Sequence, residues 1–257
     1  ANTDVQHLPA GQTLTDSILV TSEDGTATKT ITVTITGTND VVTVVAADTT
    51  ALGAVVEDTT SVASGTIAFT DVDLKDGHTS SVAPAPANTT SLGSLVLGAV
   101  NEAAGAAGGT VGWTYTINDA AAQYLAAGEV VTETYVVTLD DGHGSTTTQN
   151  VTVTITGTND VAVIGNPTVA SVTEDVAVTN GNLVASGSIS ISDADHDQSS
   201  FQTTVAGAQG NLGTLTLAAN GSYTYSVANS ATQYLQANET KIDTFTVTAL
   251  DGTTKQV

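Results

Sequence analysis

Ile31–Asp40 reads I-T-V-T-I-T-G-T-N-D, and Val151–Asp160 reads V-T-V-T-I-T-G-T-N-D, so the two segments differ only at their first residue. A match of that length within one chain marks an internal repeat, and a repeat has to be recognised before any fold is read. In both copies β-branched apolar residues alternate with threonine, the period-two pattern of a strand with one buried and one solvated face. Gly-Thr-Asn-Asp then closes each copy like a punctuation mark.

A second matching block lies upstream of each: His7-Leu8-Pro9-Ala10-Gly11, Gln123-Tyr124-Leu125-Ala126-Ala127-Gly128 and Gln233-Tyr234-Leu235-Gln236-Ala237. All three run into a Thr- and Val-rich strand and then an Asp-Gly pair, at Asp24-Gly25, Asp141-Gly142 and Asp251-Gly252. The chain therefore divides into the C-terminal part of one repeat (1–40), a complete repeat (41–160) and a third repeat lacking its last strand (161–257). The third stops at Val257, where the second enters its closing strand at Val151. Two readings account for that. The favoured one is a window from a longer array; the other has a neighbouring chain supply the strand, for instance its own Thr30–Thr36, by strand addition.

Strand patterning recurs at Thr66–Phe69, Val130–Leu139, Thr152–Thr156, Ser186–Ile191 and Asp243–Val247. Leu215–Leu217 and Tyr223–Tyr225 flank Asn220-Gly221, a strong hairpin signal. The corresponding pair, Leu95–Leu97 and Trp113–Tyr115, is joined by a longer Ala/Gly-rich loop, Ala103–Gly109. Alternation places Trp113, Tyr115 and Ile117 on one face, and Tyr223, Tyr225 and Val227 on its counterpart; such stripes are core residues rather than a ligand platform. A turn or two of helix is expected at Asp119–Ala127 and Ser230–Ala237, with Tyr124 or Tyr234 plugging the end of the sandwich. Many short strands, regular turns and no helical layer predict an all-β chain of tandem antiparallel Ig-like or cadherin-like β-sandwich domains.

Composition narrows the function. The 257 residues carry 26 Asp and Glu against four lysines, a formal charge of −22, and no cysteine or methionine. Nucleic acid needs clustered Lys and Arg and is a poor partner. So much negative charge repels itself in a compact state unless cations offset it. The absence of thiols suits an oxidising, extracellular setting, and no apolar run is long enough to span a bilayer. No charged-then-apolar leader opens the chain at Ala1.

The acids are placed, not scattered. After each Asn-Asp (Asn39-Asp40, Asn159-Asp160) comes a Glu-Asp pair, Glu57-Asp58 and Glu174-Asp175, then a strand and then D-x-D: Asp71-Val72-Asp73 and Asp193-Ala194-Asp195. The Asp-Gly pair follows later. Carboxylates converging from several loops suit Ca²⁺, which takes about six to eight oxygen ligands in irregular geometry, better than Mg²⁺ or zinc. Catalysis has little support. His78, His143 and His196 show no metal-ligand spacing, no G-x-S-x-G elbow accompanies the serines, and the glycine-rich loops lack a Lys-Ser/Thr. The chain reads as a non-enzyme.

Together, the I-T-V-T-I-T-G-T-N-D signature, Q-Y-L-x-A and the strand leading to Asp-Gly resemble the VCBS repeat of very large bacterial RTX-type surface adhesins, over essentially the whole chain. The layout also resembles cadherin domains, in which acids of these types meet at the junction of consecutive domains and bind calcium. Carried over, the resemblance implies a first junction of Asn39, Asp40, Asp71, Asp73 and Asp141. It implies a second of Glu57 from the preceding domain with Asn159, Asp160, Asp193, Asp195 and Asp251. The cadherin linker has another acid before Asn-Asp and an Asn after it; here Gly157-Thr158 and Val161 stand there, and no L-D-R-E segment occurs, which implies about one or two ions per junction. The implied role is a calcium-rigidified structural extender of a secreted, extracellular bacterial cell-surface protein serving cell adhesion and biofilm formation. Its expected partners are neighbouring repeats of the same protein and the same protein on another chain, with no nucleic acid and no membrane insertion. The alternatives are an adhesive module for glycan or protein and a subunit of a strand-exchanged extracellular filament.

Overall fold

The computed structural model describes residues 3–169 and 171–257; Ala1 and Asn2, which open the 1–40 segment, lie outside the described residues, as does Ala170. With 46% strand and 6% helix, the chain has no helical layer to pack on its sheets and is all-β, built of antiparallel sandwich domains. It forms two compact units, residues 1–122 with 130–156, and residues 123–129 with 157–257. Among the described residues no helix is long and apolar enough to cross a membrane.

The first unit contains β1 (Thr13–Thr21), β2 (Thr28–Thr36), β3 (Thr43–Val44), β4 (Leu52–Val56), β5 (Val62–Thr70), β6 (Thr79–Pro84), β7 (Gly93–Glu102), β8 (Gly108–Ile117), β9 (Val130–Asp140) and β10 (Thr146–Thr156). Two four-stranded sheets, ordered β4-β10-β9-β6 and β3-β5-β8-β7, make the sandwich. Among the described residues, β4 and β10 alone pair in parallel. Period-two alternation sets the core: Val111, Trp113, Tyr115 and Ile117 of β8 are buried, as are Tyr135, Val137 and Leu139 of β9 and Val151, Val153 and Ile155 of β10. Each such aliphatic side chain contributes about 1.5–3 kcal/mol of burial. The Trp113 indole donates to the Thr50 carbonyl at 2.7 Å, so its one polar atom is satisfied.

One buried acid belongs to this core. Glu133 is fully buried. It accepts hydrogen bonds from Thr90, the Leu92 amide and the hydroxyls of Tyr115 and Tyr135. Those bonds offset the cost of taking a carboxylate out of water. Burial, reinforced by Glu133, pushes the hydroxyls of both tyrosines far above their ordinary range.

β1 and β2, the sequence counterparts of β9 and β10, pair along their whole length, from Thr13 with Thr36 to Thr21 with Thr28. Every residue in them except Ile35 is exposed.

The two sequence signatures meet physically. The amide of Gly11 donates to the Gly37 carbonyl and that of Gly37 to Gln12; in the same way Gly128 donates to Gly157 and Gly157 to Glu129. The glycine of T-I-T-G is required by this latch, because an added Cβ would run into the carbonyl oxygens of Leu8 and Pro9 at Gly37, and of Leu125 and Ala126 at Gly157. The helical turns are shorter than expected, Asp119–Ala122 and Asn229–Thr232. The tyrosine plug is also corrected: Tyr124 and Tyr234 are 37% and 59% exposed, while Leu125 is fully buried. A one-residue change of phase on a helical turn exchanges inside for outside.

The second unit contains β11 (Val163–Ile164), β12 (Asn182–Ser188), β13 (Ile191–Ser192), β14 (Ala206–Gly207), β15 (Thr214–Leu217), β16 (Ser222–Ala228), β17 (Phe245–Thr248) and β18 (Thr254–Gln256). Its sheets run β12-β16-β15, β14-β17-β18 and β11-β13. The hairpin over Asn220-Gly221 forms: Gly221 takes φ 84° and the Asn220 side chain accepts from the Ser222 amide. The strand expected over Ser186–Ile191 is split, because β12 pairs with β16 only to Ser188 and β13 pairs with β11. The strand expected from Asp243 begins at Phe245, since Asp243 is drawn to the amides of Leu212 and Gly213 and the Tyr225 hydroxyl.

A cluster of Ala162, Ile164, Ile189, Phe201, Leu217, Tyr223, Val247 and Ala249 forms one end of this core. Beside it lies a cavity of about 800 Å³ lined by residues including Leu183, Leu215, Tyr225, Leu235, Phe245 and Val257. In the first unit, Val151, Val153 and Ile155 of β10 are fully buried.

Candidate metal centres

Each unit gathers an Asn-Asp, a D-x-D and the Asp of an Asp-Gly turn. In the first unit the Asp40 amide donates to Asp73 Oδ2 at 2.7 Å, and the Asp73 amide to Asp71 Oδ1 at 2.9 Å. Asn39 Nδ2 donates to Asp141 Oδ2 at 3.0 Å. Asp141 also receives the amides of His143 and Ser145 and the Ser145 hydroxyl. In the second unit the Asp160 amide donates to Asp195 Oδ2 at 3.1 Å, and the Asp195 amide to Asp193 Oδ1 at 3.0 Å. Asp251 receives the Ala162 amide and both the amide and hydroxyl of Thr253.

Short polar links thus fix one oxygen of Asp73, Asp193 and Asp195 and leave the other. Asn39 Oδ1, Asp73 Oδ1, Asp193 Oδ2 and Asp195 Oδ1 are buried without a hydrogen-bond donor. Buried polar atoms are ordinarily satisfied, and those that are not call for an ion or water. Asp71, Asp73, Asp141 and Asp195 are buried as whole residues. Burial pushes Asp73 and Asp193 above the usual carboxylate range, with neighbouring acids adding to it. For Asp141 and Asp251 burial acts the same way, but hydrogen bonds from Ser145 and Asn39, and from Thr253, outweigh it and hold both below that range. Donors made only of oxygen, mostly anionic and spread over three loops, fit calcium.

Ten of the eleven residues read from the sequence fall into these two groups, Asn39, Asp40, Asp71, Asp73 and Asp141 in one, and Asn159, Asp160, Asp193, Asp195 and Asp251 in the other. Asn159 Nδ2 donates to the Asp160 carbonyl, and its side chain also bonds to Asp251. Glu57 is fully buried in the first unit, where its amide donates to the Thr156 carbonyl.

Sequence reasoning passed over two other acids of the first unit. Asp76 Oδ2 lies 3.2 Å from His143 Nδ1, and the Asp76 side chain is wholly buried. His78, also buried, stands between Asp71 Oδ2 at 3.2 Å and Glu102 Oε2 at 2.7 Å. One signal was available for Asp76: it is the third acid of the loop, in Asp71-Val72-Asp73-Leu74-Lys75-Asp76.

Residues 159–257 match the family described as bacterial cadherin-like domain. Both units are all-β. Among solved structures, protocadherin gamma B7 cadherin domains 1–4 is similar over 96% of this chain and 56% of its own, at 12% identity and TM-score 0.42. Invasin, a bacterial integrin-binding protein, is similar over 96% and 52%, at 14% identity and TM-score 0.33. Drosophila N-cadherin domains 1–4 is similar over 99% and 59%, at 13% identity and TM-score 0.30. The chain thus spans little more than half the length of these structures. No curated protein matches it.

Proposed function

We propose that this chain is a stretch of calcium-rigidified extender repeats, 1–40, 41–160 and 161–257, from a large secreted bacterial surface adhesin of the RTX type, and that it projects other domains away from the cell. The observation that carries this reading is the recurrence, in two units, of the same Asn-Asp, D-x-D and Asp-Gly constellation with buried oxygens lacking donors. A calcium ion at each centre would accept those oxygens and tie the linker, the D-x-D loop and the Asp-Gly turn together. Thr38-Asn39-Asp40 can span only about 10 Å, so an ion held there restricts bending between consecutive repeats. The role is mechanical, not enzymatic, and the partners are neighbouring repeats of the same protein.

Thermal unfolding with and without calcium tests the reading. Calcium should raise the melting temperature. The pair Asp193→Ala and Asp195→Ala should lower calcium affinity at one centre only. An unchanged melting curve across chelator and millimolar calcium would remove the basis for the proposal.

A further inference from the structure

The loops that carry the two D-x-D motifs close in the same way, and the residue that closes them carries a different side chain in each. The Asp76 amide donates to the Asp73 carbonyl at 3.1 Å, and the Gln198 amide to the Asp195 carbonyl at 3.3 Å. Asp76 and Gln198 therefore occupy equivalent places. Their side chains do opposite things. Gln198 Nε2 reaches Asp195 Oδ2 at 3.4 Å, a neutral donor offered to the D-x-D acid. Asp76 offers no donor, and both of its oxygens are buried without a hydrogen-bond partner. An oxygen from each of Asp71, Asp76 and Asp141 lies within 4.8 Å of the other two, and no other trio of metal-ligating side chains among the described residues comes so close. Like charges at that spacing in a buried place are held together at a cost that a cation removes.

We propose that Asp76 is a direct ligand of a divalent cation, and that it makes the centre of the first unit a tight calcium site while the centre of the second unit, with Gln198 in its place, is a weak one. This rests on the calcium reading above. Calcium affinity rises with the number of charged ligands in a site, and the first centre has one more carboxylate than the second. The His143 imidazole, 3.2 Å from Asp76, is 40% exposed on its side chain and can swing to water when an ion enters. The protein then fills in two stages, so that a modest calcium level stiffens one centre and a higher level the other.

Calcium titration of the full chain by calorimetry tests this, with Asp76→Asn, Gln198→Asp and the pair Asp193→Ala/Asp195→Ala. The wild-type chain should show a tight and a weak class. The alanine pair should lose the weak class, assigning it to the second unit. Asp76→Asn should weaken the tight class by about tenfold or more and leave the weak one in place; Gln198→Asp should tighten the weak class by a similar factor. Asp76→Asn should also melt no lower than wild type in chelator, because it removes repulsion. Two unchanged classes in Asp76→Asn would overturn the assignment while leaving the calcium reading intact. Should Asp76→Asn fail to fold, an unchanged weak class in Gln198→Asp overturns it instead. No binding by the wild-type chain at millimolar calcium would overturn both.

Discussion

Asp73, Asp76 and Asp193 are carboxyls that the fold makes reluctant to ionise, chiefly by burying them. A group whose folded pKa is raised contributes stability below its unfolded pKa and loses it as pH rises through the folded value. Asp141 and Asp251 work the other way: their lowered pKa contributes stability above the ordinary carboxylate range, lost as pH falls through the folded value. In chelator, then, the melting temperature should rise on acidification from neutrality toward about pH 4 and fall again below about pH 3; calcium should flatten the upper limb. Glu133 permits a control away from the centres. Glu133→Ala leaves the Leu92 amide and the Tyr115 hydroxyl unsatisfied and should cost about 3 kcal/mol, read by denaturant unfolding and equal with and without calcium. The D-x-D and Asp-Gly acids were legible because their chemistry lies in local spacing that repeats. Asp76 gave only the weaker signal of a third acid in the loop, since an acid beside Lys75 reads as solvated until the tertiary fold buries it.

Strands were the most legible elements, because alternation of Val or Ile with Thr states both the element and its inward face. Val151, Val153 and Ile155 are all buried as that pattern requires. What the pattern could not state is where a strand changes partner, as at Ile189 and Ser190 between β12 and β13, or when a side chain such as Asp243 pulls backbone out of a ladder. The glycine of the latch was legible as punctuation, but its cause, carbonyl oxygens filling the space a Cβ would take, is a tertiary fact.

For the molecule as a whole, the dominant fact is a charge of −22 from 26 acids and four lysines. Acids facing solvent keep such a chain soluble, and acids converging at two centres give the excess charge a place to be neutralised. An ion that binds only the ordered state contributes about 2.7 kcal/mol at a hundredfold excess over its Kd, a large share of a domain's net stability. The central claim is that calcium converts linked sandwiches into a stiff rod, and small-angle scattering tests it most directly. In calcium the chain should show one extended maximum dimension with a narrow distance distribution, and in chelator a broader distribution with a shorter mean. Superimposable profiles in the two conditions would contradict the account.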